Sequence, residues 1–222
     1  MSLKKYSLFS IFCYGLVFLS PLILSTLGIV HTFTGVITAT TVTYILGALI
    51  LTVFYFIQNE PLSIEAAMPK ASLTKIILYG VVGIFVALIL QAFAVVLETF
   101  LFGNSAPSKN TQDIIQTILD TPAFILATTI AGPVMEEFVF RRSLLGIVGK
   151  YTNFWIGAIV SSLFFAFAHN DGHLIIYFLL GFFFSLQYKV TGRIWTSMLT
   201  HVGMNTLVVI VQMAIQKGLI SS

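Results

Sequence analysis

Two carboxylates and two guanidiniums sit together in Gly132-Pro133-Val134-Met135-Glu136-Glu137-Phe138-Val139-Phe140-Arg141-Arg142, at the end of an otherwise apolar segment. A charge at membrane depth is costly unless it is paired or faces a polar cavity, so such a cluster marks a functional site. On a helix, Glu137 and Arg141 are four residues apart and share a face within reach of an ion pair, while Glu136 points about 100° away. That leaves Glu136 free for chemistry. Two further polar sets stand in later apolar segments. One is Phe165-Ala166-Phe167-Ala168-His169; the other is His201-Val202-Gly203-Met204-Asn205, in which His201 and Asn205 share a helical face. A carboxylate, two imidazoles and an amide converging on one cavity could run hydrolysis. The carboxylate would take a proton from water while neutral donors stabilise the oxyanion. No Ser or Cys beside a His suggests a covalent nucleophile.

The elements that must position these residues are spans. Of 222 residues, 58% are hydrophobic and only 9% charged, which is too apolar for a soluble globule. The fold class expected is an all-α polytopic helix bundle of about seven transmembrane helices, or eight if a long segment is broken. The spans run from about Tyr6 to Leu27, Phe33 to Ile57, Ile76 to Phe102, near Pro122 through the central motif, Phe154 to His169, Leu174 to Tyr188, and Trp195 to Gln216. The first is expected to be a retained span rather than a signal peptide, because its apolar part is too long and no small-x-small cleavage site stands out. Gln58 to Lys75 reads as a loop with a short interfacial helix, and Thr111 to Leu119 as a short amphipathic helix. Asn170-Asp171-Gly172 reads as a turn.

Nine of the eleven Lys and Arg fall on one side of this scheme. Only Lys109 and Lys217 fall on the other. The bias puts the N-terminus in the cytoplasm and the C-terminus outside. A net charge of +3 is explained by topology and headgroups, and no nucleic-acid motif is present. The lone Cys13 excludes a disulfide framework.

The E-E-x-x-x-R, F-x-x-x-H and H-x-x-x-N series, in that order in successive apolar segments, resembles the intramembrane CAAX-protease and bacteriocin-processing (CPBP, or Abi) family, which includes the type II CAAX prenyl endopeptidases. The resemblance covers residues 111–216 as a catalytic core; residues 1–110 supply only generic N-terminal spans. It implies an intramembrane endopeptidase in which Glu136 is the base that activates water, assisted by His169, while His201 and Asn205 donate to the oxyanion and Glu137 with Arg141 holds the geometry. It implies no cofactor, although Glu136, His169 and His201 could form a two-His-one-carboxylate set for a divalent metal such as zinc. No local H-E-x-x-H spacing supports that set. The implied partners are the lipid bilayer and a peptide or protein substrate, with or without a lipid, and the location is a bacterial cytoplasmic membrane. The cavity is expected to open to the cytoplasm.

Two other function classes fit the same residues. A non-proteolytic membrane immunity or binding protein would use the motifs only to hold the bundle. A small proton- or ion-coupled transporter would use the buried Glu and His as a path, although no inverted repeat supports it. Arg142 is expected to snorkel to the headgroups, and His173 to take no part in a site.

Overall fold

The computed structural model describes residues 3–58, 60–67, 71–103 and 108–220. Among them the chain forms helices and no strands. We number these α1 (Leu3–Thr26), α2 (Phe33–Ile57), α3 (Ser63–Ala67), α4 (Leu73–Phe102), α5 (Lys109–Asp120), α6 (124–151), α7 (Phe154–His169), α8 (Leu174–Thr191) and α9 (Ile194–Gln216). Helices α1, α2, α4, α8 and α9 are long and apolar enough to cross a membrane. The 16-residue apolar α7 and the long α6 pack among them.

Local chemistry sets most of the ends. The Thr32 and Ser72 hydroxyls accept from the backbone N–H groups of Gly35 and Lys75, capping α2 and α4. Asn153 caps α7 by accepting from Trp155 and Ile156. Asn170 ends α7 in the left-handed region at φ 45°, which fits the expected turn. The face of α5 that buries Ile115 and Ile118 packs near Val209 of α9, as an amphipathic helix should.

Helix α6 is the axis of the bundle, packed by α1, α2, α7 and α9. It is not a regular helix. Residues Ala127–Ala131 and Glu137–Leu144 take the wider π form, in which each N–H reaches back five residues. Pro133 gives a reason for the first of these, since it brings no N–H and its ring would clash with the carbonyl of Thr129 in a regular turn. The Gly132 N–H bonds instead to the Ala127 carbonyl. The second π segment carries Glu137, Arg141 and Arg142, and the helix runs on to Tyr151, so that both arginines are inside the protein.

Arg142 therefore does not snorkel. It is fully buried, 3.0 Å from the Glu65 carboxylate of α3, between the rings of Tyr6 and Tyr55. Glu65 also accepts from the Tyr188 hydroxyl at 2.6 Å and from the Leu62 N–H. The short helix in the 58–75 loop is thus a plug that supplies a buried counter-charge to α6 and α8, rather than a purely interfacial element. Changing Glu65 to Gln keeps one acceptor oxygen, turns the other position into a donor and removes the charge beside Arg142. We expect a loss of about 1–3 kcal/mol, read as a lower unfolding midpoint in detergent; an unchanged midpoint would mean the pair is not formed.

Apolar side chains such as Phe12, Phe56, Phe85, Ile89 and Phe100 stay exposed, which suits a surface in contact with acyl chains. The Phe182-Phe183-Phe184 run is packing surface, and Phe184 is completely buried.

Candidate active site

The polar groups singled out in three separate segments meet. Glu137 and Arg141, fully buried, form the expected pair along α6, with Arg141 Nε 3.5 Å from Glu137 Oε1. The Arg141 guanidinium makes no hydrogen bond; it lies 4.2 Å from the Phe165 ring centroid and 5.3 Å from that of Phe184. Such contacts stabilise a desolvated cation through the negative ring face. The space for it depends on Gly181 of α8, where an added Cβ would sit 3.3 Å from Arg141 Nη2.

His201, only 2% exposed, stands between the two glutamates. Its Nδ1 lies 3.0 Å from Glu137 Oε1 and its Nε2 lies 3.6 Å from Glu136 Oε2. An ionised Glu137 can only accept, so Nδ1 carries the proton and donates it. Phe184 stacks on the imidazole at 4.7 Å and fixes its plane. His201 is thus behind Glu136, where its expected place was in the cavity beside Asn205.

Glu136 faces the other way, as the helical spacing required. It lines a cavity of about 460 Å³, together with His169 and Asn205. The length of α6 buries Arg141 and so sets Glu136 deep in the bundle, on the same cavity as His169. The His169 Nδ1 donates to the Phe165 carbonyl at 2.8 Å and the ring stacks on Tyr177 at 3.8 Å. Its Nε2, and the amide of Asn205, meet no hydrogen-bonding side chain among the described residues.

The first 110 residues do more than span. Tyr14 of α1 and Tyr44 of α2 line the cavity, and the Tyr14 hydroxyl is within hydrogen-bonding reach of Glu136. Gln91 of α4 lines it too. A single tyrosine in an apolar span carries no signal in sequence, which is why these were not foreseen.

The cavity is lined from the middle and the far halves of the helices, counted from their Lys- and Arg-bearing ends: Tyr14 and Phe18 of α1, Gln91 of α4, and Ala168 and His169 of α7. A cytoplasmic position for the basic end and a cytoplasmic mouth for the cavity, both expected from sequence, therefore pull in opposite directions.

Of the three side chains that could have formed a metal set, His201 donates from Nδ1 to Glu137 and His169 donates from Nδ1 to the Phe165 carbonyl, which leaves each Nε2 unprotonated. Among the described residues no group of three or more His, Cys, Asp or Glu side chains is arranged to hold a metal ion.

Comparison with known proteins agrees with this architecture. Residues 118–207 match the family model described as type II CAAX prenyl endopeptidase Rce1-like. YdiL of Bacillus subtilis (strain 168), whose name is "Putative membrane peptidase YdiL", is 35% identical over 167 residues, which is 75% of this chain and 68% of that protein. The membrane-embedded CAAX protease MroQ of Staphylococcus aureus (strain USA300) is 35% identical over 159 residues, 68% of this chain and 63% of that protein. No solved structure matches the chain to significance. With the matched region spanning the segments that build the cavity from α6 to α9, the chain belongs to the Rce1-like CAAX family of membrane peptidases.

Proposed function

We propose that the chain hydrolyses a peptide bond inside the bundle, with a water activated by Glu136. The observation that carries this reading is the division of labour between adjacent glutamates: Glu137 is sealed against Arg141 and His201, while Glu136 keeps an accessible carboxylate on the cavity. Glu136 takes the proton from water as the oxygen attacks the substrate carbonyl, and later returns it to the leaving amine. His169, through its free Nε2, orients the water from the opposite wall. Asn205 donates an amide N–H to the oxyanion of the tetrahedral intermediate. His201 holds Glu136 in place from behind and, through Nε2, shares the load of its proton; the donor role first expected of it passes mainly to Asn205. No step requires a metal.

Removing one oxyanion donor lowers kcat by about 10²–10³-fold in acyl-transfer enzymes. Asn205→Ala is expected to fall in that range with little change in KM, measured on an internally quenched peptide. Wild-type kcat in a folded Asn205→Ala protein would remove Asn205 from the reaction.

The substrate is proposed to be a peptide or protein at the bilayer, and a lipid on its tail is compatible with a cavity wall that includes Phe18, Ile114 and Phe124.

A further inference from the structure

A second cavity of about 770 Å³ adjoins the first between α4, α5 and α9, and the two share Gln91, Thr111 and Val208 on their walls. Its lining is polar, drawn from the polar face of the amphipathic α5 and from single residues of the apolar α4 and α9. Five of the seven glutamines of the chain are there: Gln91, Gln112, Gln116, Gln212 and Gln216. Beside them stands His173, 6% exposed, whose Nδ1 is held 2.7 Å from Glu98 Oε2. Glu98 is itself pinned by the N–H groups of Ile175 and Ile176. With Nδ1 committed, the Nε2 of a buried imidazole is left with no partner among the described residues. The Glu98 and His173 pair stands apart from the glutamates of α6, and the hydrolytic reaction does not use it.

An extended peptide entering a bundle of apolar helices must have its N–H and C=O groups satisfied, because each one left bare in such surroundings costs several kcal/mol. Glutamine suits that task, since one uncharged side chain both donates and accepts. Glutamine reads the backbone and ignores the sequence, and Asp113 is the single carboxylate among the described lining residues. We propose that this second cavity is the subsite for the extended polypeptide flank of the substrate, with Gln91, Gln112 and Gln212 pairing to its main chain and His173 Nε2 accepting from one backbone N–H, while Gln116 and Gln216 bond to each other and to Asp120 at its edge. The flank then runs along α5 and delivers its scissile bond to Glu136 across the shared wall. This inference rests on the peptidase reading and adds the substrate feature recognised, an unfolded segment next to the cleaved bond.

The test is a binding measurement that does not need turnover. Full-length Glu136→Gln protein in nanodiscs is titrated against a fluorescein-labelled alanine–serine peptide, and against the same peptide with N-methylated backbone amides. Binding is expected to weaken more than about tenfold on N-methylation, which removes several donors, and about tenfold in the unmodified peptide when Gln112→Leu or Gln212→Leu is added, as for one hydrogen bond lost. Equal binding by all proteins and both peptides, or no binding of the peptide by any, overturns the subsite. Cleavage by the wild-type protein is measured separately on the same peptide. Binding without cleavage would count against hydrolysis and spare the subsite, whereas cleavage with KM untouched by Gln112→Leu and Gln212→Leu would count against the subsite and spare hydrolysis.

Discussion

Glu136→Gln should yield a folded protein that cleaves peptides about 10²–10⁴-fold more slowly than wild type, the range that a positioned general base contributes. The fold should survive because this carboxylate is not the one that holds the bundle together. Its side chain is 17% exposed to the cavity, and the amide has the same shape. The Arg141 pair and the His201 Nδ1 bond both belong to Glu137, so both persist. What is lost is the acceptor for the water proton. The comparison to make is kcat/KM together with the unfolding midpoint; a variant that keeps wild-type kcat/KM would take the base away from Glu136.

Glu137→Ala should do the opposite and fail through the fold. It leaves the Arg141 guanidinium fully buried among aromatic rings, with no carboxylate in contact, and strips His201 Nδ1 of its acceptor. Breaking a buried pair on one side costs about 3–5 kcal/mol, since the other charge stays desolvated. The double replacement Glu137→Leu with Arg141→Met removes both charges and should recover much of that stability. It should not recover activity, because His201 still has nothing to fix its tautomer behind Glu136. Thermal unfolding in detergent separates the three proteins. A single variant as stable as wild type would show that the pair contributes nothing to the bundle.

Much of this was legible in the residues because the physics is local. The i,i+4 relation of Glu137 and Arg141, the turn at Asn170-Asp171-Gly172 and the amphipathic spacing of α5 all act within one or two turns. The order of the three motifs brought His169 and Asn205 to one cavity with Glu136. What stayed hidden depends on chain segments far apart. Arg142 was expected at the headgroups because its partner, Glu65, is 77 residues away in a polar loop that looked interfacial. The pairing of His173 with Glu98 spans 75 residues, and its turn position hid it. Tyr14 and Tyr44 entered as anonymous members of generic spans. The π segments of α6 have a cue in Pro133, but their extent, and with it the depth of Arg141, is fixed by tertiary packing.

The most direct test is a cleavage assay with the purified full-length protein in detergent. The substrates would be a panel of internally quenched peptides, lipidated and not, with wild type and Glu136→Gln compared with and without a strong chelator. The account predicts cleavage by wild type that survives chelation and is lost in the variant. Cleavage abolished by the chelator would contradict the metal-free reaction. A folded wild type that cleaves no member of the panel, or a variant that cleaves as fast as wild type, would contradict hydrolysis through Glu136 itself.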